Sequence, residues 1–204
     1  MIPQDLHIHT VYSTGDSAVV NQQTIALIKN VRHAARIGIS DHFEYLVDEN
    51  IFNQYEQEVR AAGFKVGMEV SGHALVSEAV KRNNDYFVYH CSRNEDYDAI
   101  DLMLATGKPV IIAHPLIMGT DLDKVPPECY IEVNNRYVWR SNWRAGFYNY
   151  VNDRSFVISS DAHQPNWLNQ NVARHVCQVL GIRETILFPE ARAEVLLMSR
   201  NSLN

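Results

Sequence analysis

Residues 4–9 read Gln-Asp-Leu-His-Ile-His, a short run of the kind that predicts a β-strand. His7 and His9 are two residues apart. Because alternate side chains of a strand share one face, both imidazoles can reach the same metal ion. The stretch therefore predicts a strand that ends in a pair of metal ligands.

Six further short runs, rich in β-branched or aromatic residues and bounded by Gly, Pro, Asn or Asp, also predict strands. They lie at 36–41, 64–69, 85–90, 109–114, 129–134 and 156–161. Helical patterns occur at 21–35, 53–62, 75–83, 95–106, 142–152, 168–180 and 189–199. Strand–helix alternation implies a parallel sheet with crossover helices. Seven units in 204 residues give about 29 residues each, close to the ~30 typical of a strand–helix repeat.

Each predicted strand ends in a side chain that can bind metal or form hydrogen bonds. These residues are His9, Asp41, Glu69, His90, His114, Asn134 and Asp161. Parallel strands place them all at one edge, and closure into a barrel brings them together at the end where βα barrels build active sites. The sequence therefore predicts one α/β domain with a closed or nearly closed barrel.

Several predicted strand ends carry more than one candidate ligand. Asp41 and His42 are adjacent, and Asp161 is followed two residues later by His163. Glu69 could bridge two ions through its two carboxylate oxygens. Nitrogen and oxygen ligands without thiolates suit Zn, Mn or Fe, and a bridging carboxylate suits a multinuclear site.

The nine histidines fall into two groups. We interpret His33 and His175, in predicted helical segments, and His73, in a predicted loop, as structural residues. The others occur at strand ends beside carboxylates, a placement too regular to be accidental. They are His7, His9, His42, His90, His114 and His163.

The short motifs together resemble the PHP domain family, whose name stands for polymerase and histidinol phosphatase. The motifs are Asp-Leu-His-Ile-His-Thr at 5–10 with Ser13 and Asp16, Ile-Ser-Asp-His at 39–42, Gly-Met-Glu at 67–69, Tyr-His-Cys at 89–91, Ala-His-Pro at 113–115 and Ser-Asp-Ala-His at 160–163. They span nearly the whole chain in the order of the family. Ile-Glu-Val-Asn-Asn at 131–135 is similar to the stand-alone phosphatases of this family.

The resemblance implies a distorted seven-stranded (β/α)7 TIM-like barrel over residues 1–204, with two or three divalent metal ions. One ion would be held by His7, His9, Glu69 and Asp161. A second would share Glu69 and use His90 and His114. A third would be held by Asp16, His42 and His163, although some stand-alone members have histidine near the position of Asp16. Asn134 or Asn135 would lie at the rim of the site and contact substrate.

These ligands predict a metal-dependent phosphoesterase, because bridging ions lower the pKa of water so that hydroxide attacks phosphorus at neutral pH. The expected substrate is a phosphate monoester of a small metabolite or nucleotide. Arg93 and Arg136 are candidates to bind the phosphate and neutralise developing charge, although either could equally be a surface arginine. Asp41 and His163 are candidate proton donors to the leaving group.

Three other functions fit the same residues. One is a phosphodiesterase or 3′–5′ exonuclease, as in the PHP domains of bacterial replicative polymerases. Another is a catalytically silent, metal-stabilised scaffold module, which the complete ligand set disfavours. Hydrolysis of a C–N bond, as in amidohydrolases, uses related metal chemistry.

Charge and composition narrow the expected partners and location. The net charge of −6 disfavours a broad nucleic-acid surface, so we expect a small phosphorylated substrate and no nucleic acid. Three cysteines without a CxxC pair predict reduced thiols. No segment approaches the roughly 18 apolar residues of a membrane span. We therefore expect a cytoplasmic protein without membrane association, of undetermined oligomeric state.

Overall fold

Seven parallel strands form one sheet in the computed structural model, which describes residues 1–189. The strands are β1 (Ile2–Asp5), β2 (Ala34–Ile39), β3 (Lys65–Ser71), β4 (Tyr86–His90), β5 (Val110–Ile112), β6 (Tyr130–Asn134) and β7 (Ser155–Ser159). Each strand pairs with the next in sequence, as in a sheet that curls into a βα barrel. The α/β barrel predicted from the sequence is confirmed.

Helices cross between the strands and pack on the outer face of the sheet. They are α1 (Ile25–Val31), α2 (Glu49–Ala61), α3 (Val76–Ala79), α4 (Asn94–Leu104), α5 (Pro115–Met118), α6 (Trp143–Tyr148) and α7 (Asn171–Leu180). The helix predicted at 189–199 lies outside the described residues. Within residues 1–189, no helix is long and apolar enough to cross a membrane.

Helix α1 is shorter than the predicted 21–35. It begins after Thr24, whose hydroxyl accepts a hydrogen bond from the helix, and it ends where Arg32 adopts a left-handed backbone conformation with φ of 44°. His33 therefore lies between α1 and β2, and its predicted place in a helix was wrong. Its Nε2 is 2.8 Å from Asp5 Oδ2, which gives it the structural role expected.

Several strands end before the polar residues that were predicted to terminate them. Strands β5 and β7 cannot extend through His114 and Asp161, because these residues have φ values of 25° and 54°, outside the extended region. Glu69, by contrast, lies inside β3. The candidate ligands found in the loops directly after strands are His7, His9, Asp41, His42, His114, Asp161 and His163.

The seam between β1 and β7 is closed in two ways. Beyond the strands, the N–H of Asp161 donates to the carbonyl of His7 at 2.8 Å, and Ile8 pairs with Ala162. Within the strands, the buried side chain of Gln170 donates to the carbonyls of Gln4 and Ile158, both at 2.9 Å. Backbone pairing thus closes the end that carries the ligands, and one side-chain amide bridges the rest.

Apolar side chains fill the barrel interior below the ligands. They are Leu6, Tyr86, Val88, Ile111, Ala113, Val157 and Leu187. The hydroxyl of Tyr86 donates to the carbonyl of Leu6 at 2.7 Å. Gly38 and Gly67 leave room for this ring, since a Cβ at either would lie 2.3 Å from an atom of Tyr86. The barrel is therefore a packed core, and a site can form only at its mouth.

Gln170→Ala should lower the free energy of unfolding by about 2–6 kcal/mol, because two buried carbonyls lose their donor and each costs ~1–3 kcal/mol. Denaturant unfolding measures this change. The control is Gln178→Ala, an exposed glutamine on α7, the helix that Gln170 directly precedes, and it should stay within about 0.5 kcal/mol of the parent. Equal effects of the two substitutions would contradict the role of Gln170 in the seam.

Candidate metal centre

Imidazole and carboxylate groups from the ends of six strands converge at the carboxyl end of the barrel. Three groups have ligand atoms that all lie within 4.8 Å of one another: His7, His9 and Glu69; Glu69, His90 and His114; and His9, His42 and His163. Glu69 and His9 each belong to two groups, so the three form one continuous cluster. Asp16 and Asp161 contact it, which brings all nine predicted ligands together.

The carboxylate of Glu69 lies at the centre of the cluster. Its Oε1 is 3.1 Å from His7 Nε2 and 2.5 Å from His90 Nε2. Its Oε2 is 3.3 Å from His9 Nε2 and 3.1 Å from His42 Nδ1. Each oxygen therefore faces different imidazoles, which is the arrangement required of a carboxylate that bridges two ions.

The Nε2 atoms of His7 and His9 face each other. Glu132 Oε1 lies 2.7 Å from His7 Nδ1 and accepts a hydrogen bond from it, so Nε2 is the nitrogen of His7 that a metal ion would bind in place of a proton. Ser13 Oγ donates to Asp41 at 2.6 Å and so accepts from His9 Nδ1 at 3.2 Å, which leaves a lone pair on His9 Nε2. The two Nε2 atoms are 3.1 Å apart. A cation bound by both nitrogens would account for this close approach, so the pair fits a metal ion.

His90 and His114 form the second group with Glu69. Their Nε2 atoms are 3.1 Å apart, and His114 Nε2 is 3.7 Å from Glu69 Oε1. The backbone N–H of His114 donates to Glu132 Oε2 at 2.6 Å, which fixes the unusual backbone of this residue. Glu132 thus orients a ligand in each of the first two groups.

Asp16 completes the third group. Its Oδ2 is 2.8 Å from His163 Nε2 and 3.4 Å from His42 Nε2. Burial would raise the pKa of Asp16, but the N–H of Ala18 and the imidazoles of His163 and His42 lower it. The side chain is therefore an ionised carboxylate that faces two imidazoles, as the sequence predicted.

Three buried polar atoms of the cluster make no hydrogen bond: Asp161 Oδ1, His42 Nδ1 and His114 Nδ1. Buried polar groups without partners are costly and need an explanation. Here each belongs to a residue with a metal-binding side chain, and the donor set contains nitrogen and oxygen but none of the three cysteines. Such a set suits Zn, Mn or Fe.

The pKa shifts differ across the cluster. Burial lowers the pKa of His7 and of His90, but neighbouring carboxylates raise both above the ordinary value, so a metal ion would displace a proton from these two imidazoles. Glu69 and His9 shift in the opposite direction. Burial would raise the pKa of Glu69, but His90, His7 and His9 lower it well below its ordinary value. Burial lowers the pKa of His9 well below its ordinary value, and neighbouring imidazoles lower it further. At neutral pH an ionised carboxylate therefore faces a neutral imidazole, and metal ions require both forms.

Glu132, a member of β6, was missed as a site residue in the sequence analysis. It is fully buried and also accepts a hydrogen bond from Asn134 at 3.0 Å. Burial would raise its pKa, but His7, above all, lowers it to about 2. The available signal was a glutamate within an otherwise apolar strand, since a glutamate is almost never fully buried unless it is paired.

Asp41 supports the candidate metal ligands from behind. It accepts hydrogen bonds of 2.6 Å from the N–H and hydroxyl of Thr10 and from the hydroxyl of Ser13. Burial raises its pKa to about 6, although these hydrogen bonds lower it. Its carboxylate is absent from the cavity lining and fixes the loop that positions His9. Its expected role as a proton donor stays a prediction, and the geometry favours a supporting role.

The two candidate arginines differ in position. Arg136 Nη1 lies 3.0 Å from His163 Nε2 and 3.5 Å from Asp161 Oδ1, at the edge of the cluster. Arg93 is exposed, directly precedes α4, and lines a neighbouring cavity of about 260 Å³ that also includes His90. Only Arg136 lines the cavity above the ligands.

Asn134 and Asn135, expected at the rim, are engaged within the protein. Asn134 Nδ2 donates to Asp161 Oδ2 at 3.0 Å, and its Oδ1 accepts from the N–H of Arg136 at 2.9 Å. Asn135 Oδ1 accepts from the N–H groups of Val172 and Ala173 at the start of α7. Both residues therefore position neighbouring elements, and neither lines the metal cavity.

The remaining histidines lie apart from the metal-binding groups. His73 Nδ1 is 3.0 Å from Asp96 Oδ1, in a loop as expected. His175 lies on α7 and is exposed. Neither belongs to any of the three groups, in agreement with the structural role assigned to them.

A cavity of about 320 Å³ opens above the cluster. It is lined by every predicted ligand except His7, together with Arg136 and Tyr137. Comparison with models of protein families gives no match, and a search of curated proteins finds no similar sequence.

Glu69→Gln should release more metal than Asp16→Ala, because Glu69 contacts all three groups whereas Asp16 contacts only one. Elemental analysis should give two or three ions per parent chain, at most one for Glu69→Gln, and a loss of no more than one for Asp16→Ala. The control is the exposed Asp153→Ala, which should keep the parent content. Equal losses, or a larger loss from Asp16→Ala, would contradict the central position of Glu69.

Glu132→Gln should weaken metal binding by the groups that contain His7 and His114 by roughly 10–100-fold, the usual effect of removing a partner that orients a ligand. The neutral amide of glutamine accepts hydrogen bonds from His7 and Asn134 more weakly than the carboxylate does. The tautomer of His7 is therefore no longer fixed. Competitive chelator titration measures the metal affinity. Glu128→Gln, an exposed neighbour in sequence, should leave the affinity unchanged; unchanged affinity in Glu132→Gln would refute the assignment.

Proposed function

We propose that this protein is a metal-dependent phosphoesterase that cleaves a phosphate monoester of a small metabolite or nucleotide. The observation that carries the proposal is the central position of Glu69, whose two oxygens face different imidazoles beneath a cavity edged by Arg136. Clusters of imidazoles around a shared carboxylate suit multinuclear hydrolytic centres. The motif resemblance to the PHP family supports the same activity, and membership in that family is part of the proposal.

The protein would hold two or three ions, of Zn, Mn or Fe. His7, His9, Glu69 and Asp161 would hold the first ion. Glu69, His90 and His114 would hold the second. His42, His163 and Asp16 would hold the third. When bound, these ions would lower the pKa of a water molecule and place positive charge beside the phosphate oxygens.

The residues of the chain contribute orientation and charge. Arg136 presents a guanidinium at the cavity edge, where it can bind phosphate oxygens through two N–H groups. Its backbone N–H is held by Asn134, and its side chain stacks 5.1 Å from the ring of Trp167, so its position is fixed before substrate binds. A preorganised guanidinium stabilises charge that develops in the transition state without reorganisation.

The proposed setting is a cytoplasmic protein that acts on small molecules without membrane association. Its three cysteines are free thiols and all are buried, in agreement with a reducing compartment.

Arg136→Ala should lower kcat/KM for phosphomonoesters by roughly 100-fold, the typical loss of one preorganised donor. Phosphate release is measured with protein loaded with Mn, Zn or Fe, over a panel of nucleotides, sugar phosphates and amino-alcohol phosphates. The exposed Arg183→Ala serves as the matched control and should retain parent activity. Absence of phosphate release with every metal, or a higher kcat/KM on single-stranded DNA ends, would refute the proposed function.

A further inference from the structure

Aromatic rings and guanidinium groups alternate in a stack that leads away from the metal centre. In order, its members are Trp167, Arg136, Tyr137, Arg140 and Trp139. The Cζ of Arg136 lies 5.1 Å from the ring centre of Trp167 and 4.8 Å from that of Tyr137. The Cζ of Arg140 lies 5.5 Å from the ring of Tyr137 and 4.9 Å from that of Trp139. Each cation thus contacts two rings at distances typical of cation–π interactions.

The stack joins two cavities. Arg136 lines the metal cavity and also a second cavity of about 380 Å³, whose walls include Trp139, Arg140 and Trp167. A ligand held by its phosphate over the metal centre could therefore extend past Arg136 into the second cavity. The shared arginine sets the direction in which the organic part of the ligand would lie.

The outer end of the stack is available for binding. Trp139 is 60% exposed, although a tryptophan that served only as packing would bury most of its ring. Arg140 is also exposed, and its side chain makes no ion pair or hydrogen bond within residues 1–189. Two arginines placed side by side in a chain of net charge −6 concentrate positive charge where it is otherwise scarce.

We propose that this stack binds a planar aromatic group carried by the phosphomonoester, either a nucleobase or an aryl ring. The inference rests on the proposed function for the position of the phosphate. Exposed indole and guanidinium faces bind planar π-systems by stacking, with little dependence on the identity of the base. A ring in the second cavity would contact the exposed indole of Trp139, while its phosphate would contact Arg136 and the metal centre.

The test compares ligands that differ only in the aromatic group. Calorimetry of the metal-loaded full chain uses non-hydrolysable phosphonate analogues of adenosine 5′-monophosphate and ribose 5-phosphate, with phenylphosphonate as the aryl probe. The adenosine analogue should bind roughly tenfold or more tightly than the ribose analogue, as expected for stacking of one base. This ratio should fall below about threefold in Trp139→Ala and persist in Trp139→Phe. Tyr148→Ala, which removes a ring that is 73% exposed outside both cavities, should leave the ratio unchanged.

Each outcome separates the proposed subsite from the proposed activity. Equal binding of the two analogues, no binding of either, or an unchanged ratio in Trp139→Ala would overturn the subsite, whether or not phosphate release is observed. Base-dependent binding that is lost in Trp139→Ala, without hydrolysis of any phosphomonoester, would support the subsite and refute the phosphoesterase.

The same measurements distinguish the kinds of ligand. Comparable gains in affinity from the adenine and phenyl groups would identify a general aromatic site, whereas a gain from adenine alone would identify a nucleotide site. Binding of single-stranded oligonucleotide ends more than about tenfold tighter than the adenosine analogue would overturn the assignment to small ligands.

Discussion

One buried carboxylate, that of Glu69, organises the mouth of this barrel. It lies among imidazoles from several strand ends, and an ionised carboxylate in a buried position is stable only when cations or hydrogen-bond donors surround it. The imidazoles in turn are most useful as ligands when neutral, which leaves lone pairs facing lone pairs. Metal ions satisfy both demands at once, so the cluster has a physical reason to bind them.

A second layer of side chains holds this arrangement in place. Glu132 fixes the tautomer of His7 and the backbone of His114, while Asp41 acts on His9 through Ser13. Holding ligands before metal arrives lowers the cost of ordering them on binding. The positive φ values of His114 and Asp161 fit this view, since strained backbone persists where surrounding contacts over-determine it.

The sequence was sufficient to predict the barrel and which imidazoles and carboxylates meet at its mouth, because short apolar runs followed by polar residues indicate both the strands and the residues at their ends. It was not sufficient for the supporting residues. Glu132 lies 125 positions from His7, and Gln170 lies 166 positions from Gln4, so their partners depend on how the sheet closes. Asn134 and Asn135 lie at the end of a predicted strand, as the candidate metal ligands do. The fold, however, brings them next to hydrogen-bonding partners, so their role is to position neighbouring elements.

Charge is distributed unevenly in this protein, and that unevenness bears on what it binds. The net charge of −6 opposes a long polyanion at most of the surface, whereas Arg136 and Arg140 place two positive charges beside the barrel mouth. A compact anion experiences this local attraction without the repulsion elsewhere. Because the two arginines lie between aromatic rings, the same groups that attract a phosphate also present flat surfaces to the molecule that carries it. Local electrostatics and stacking therefore favour the same class of ligand, a small anion with a planar ring.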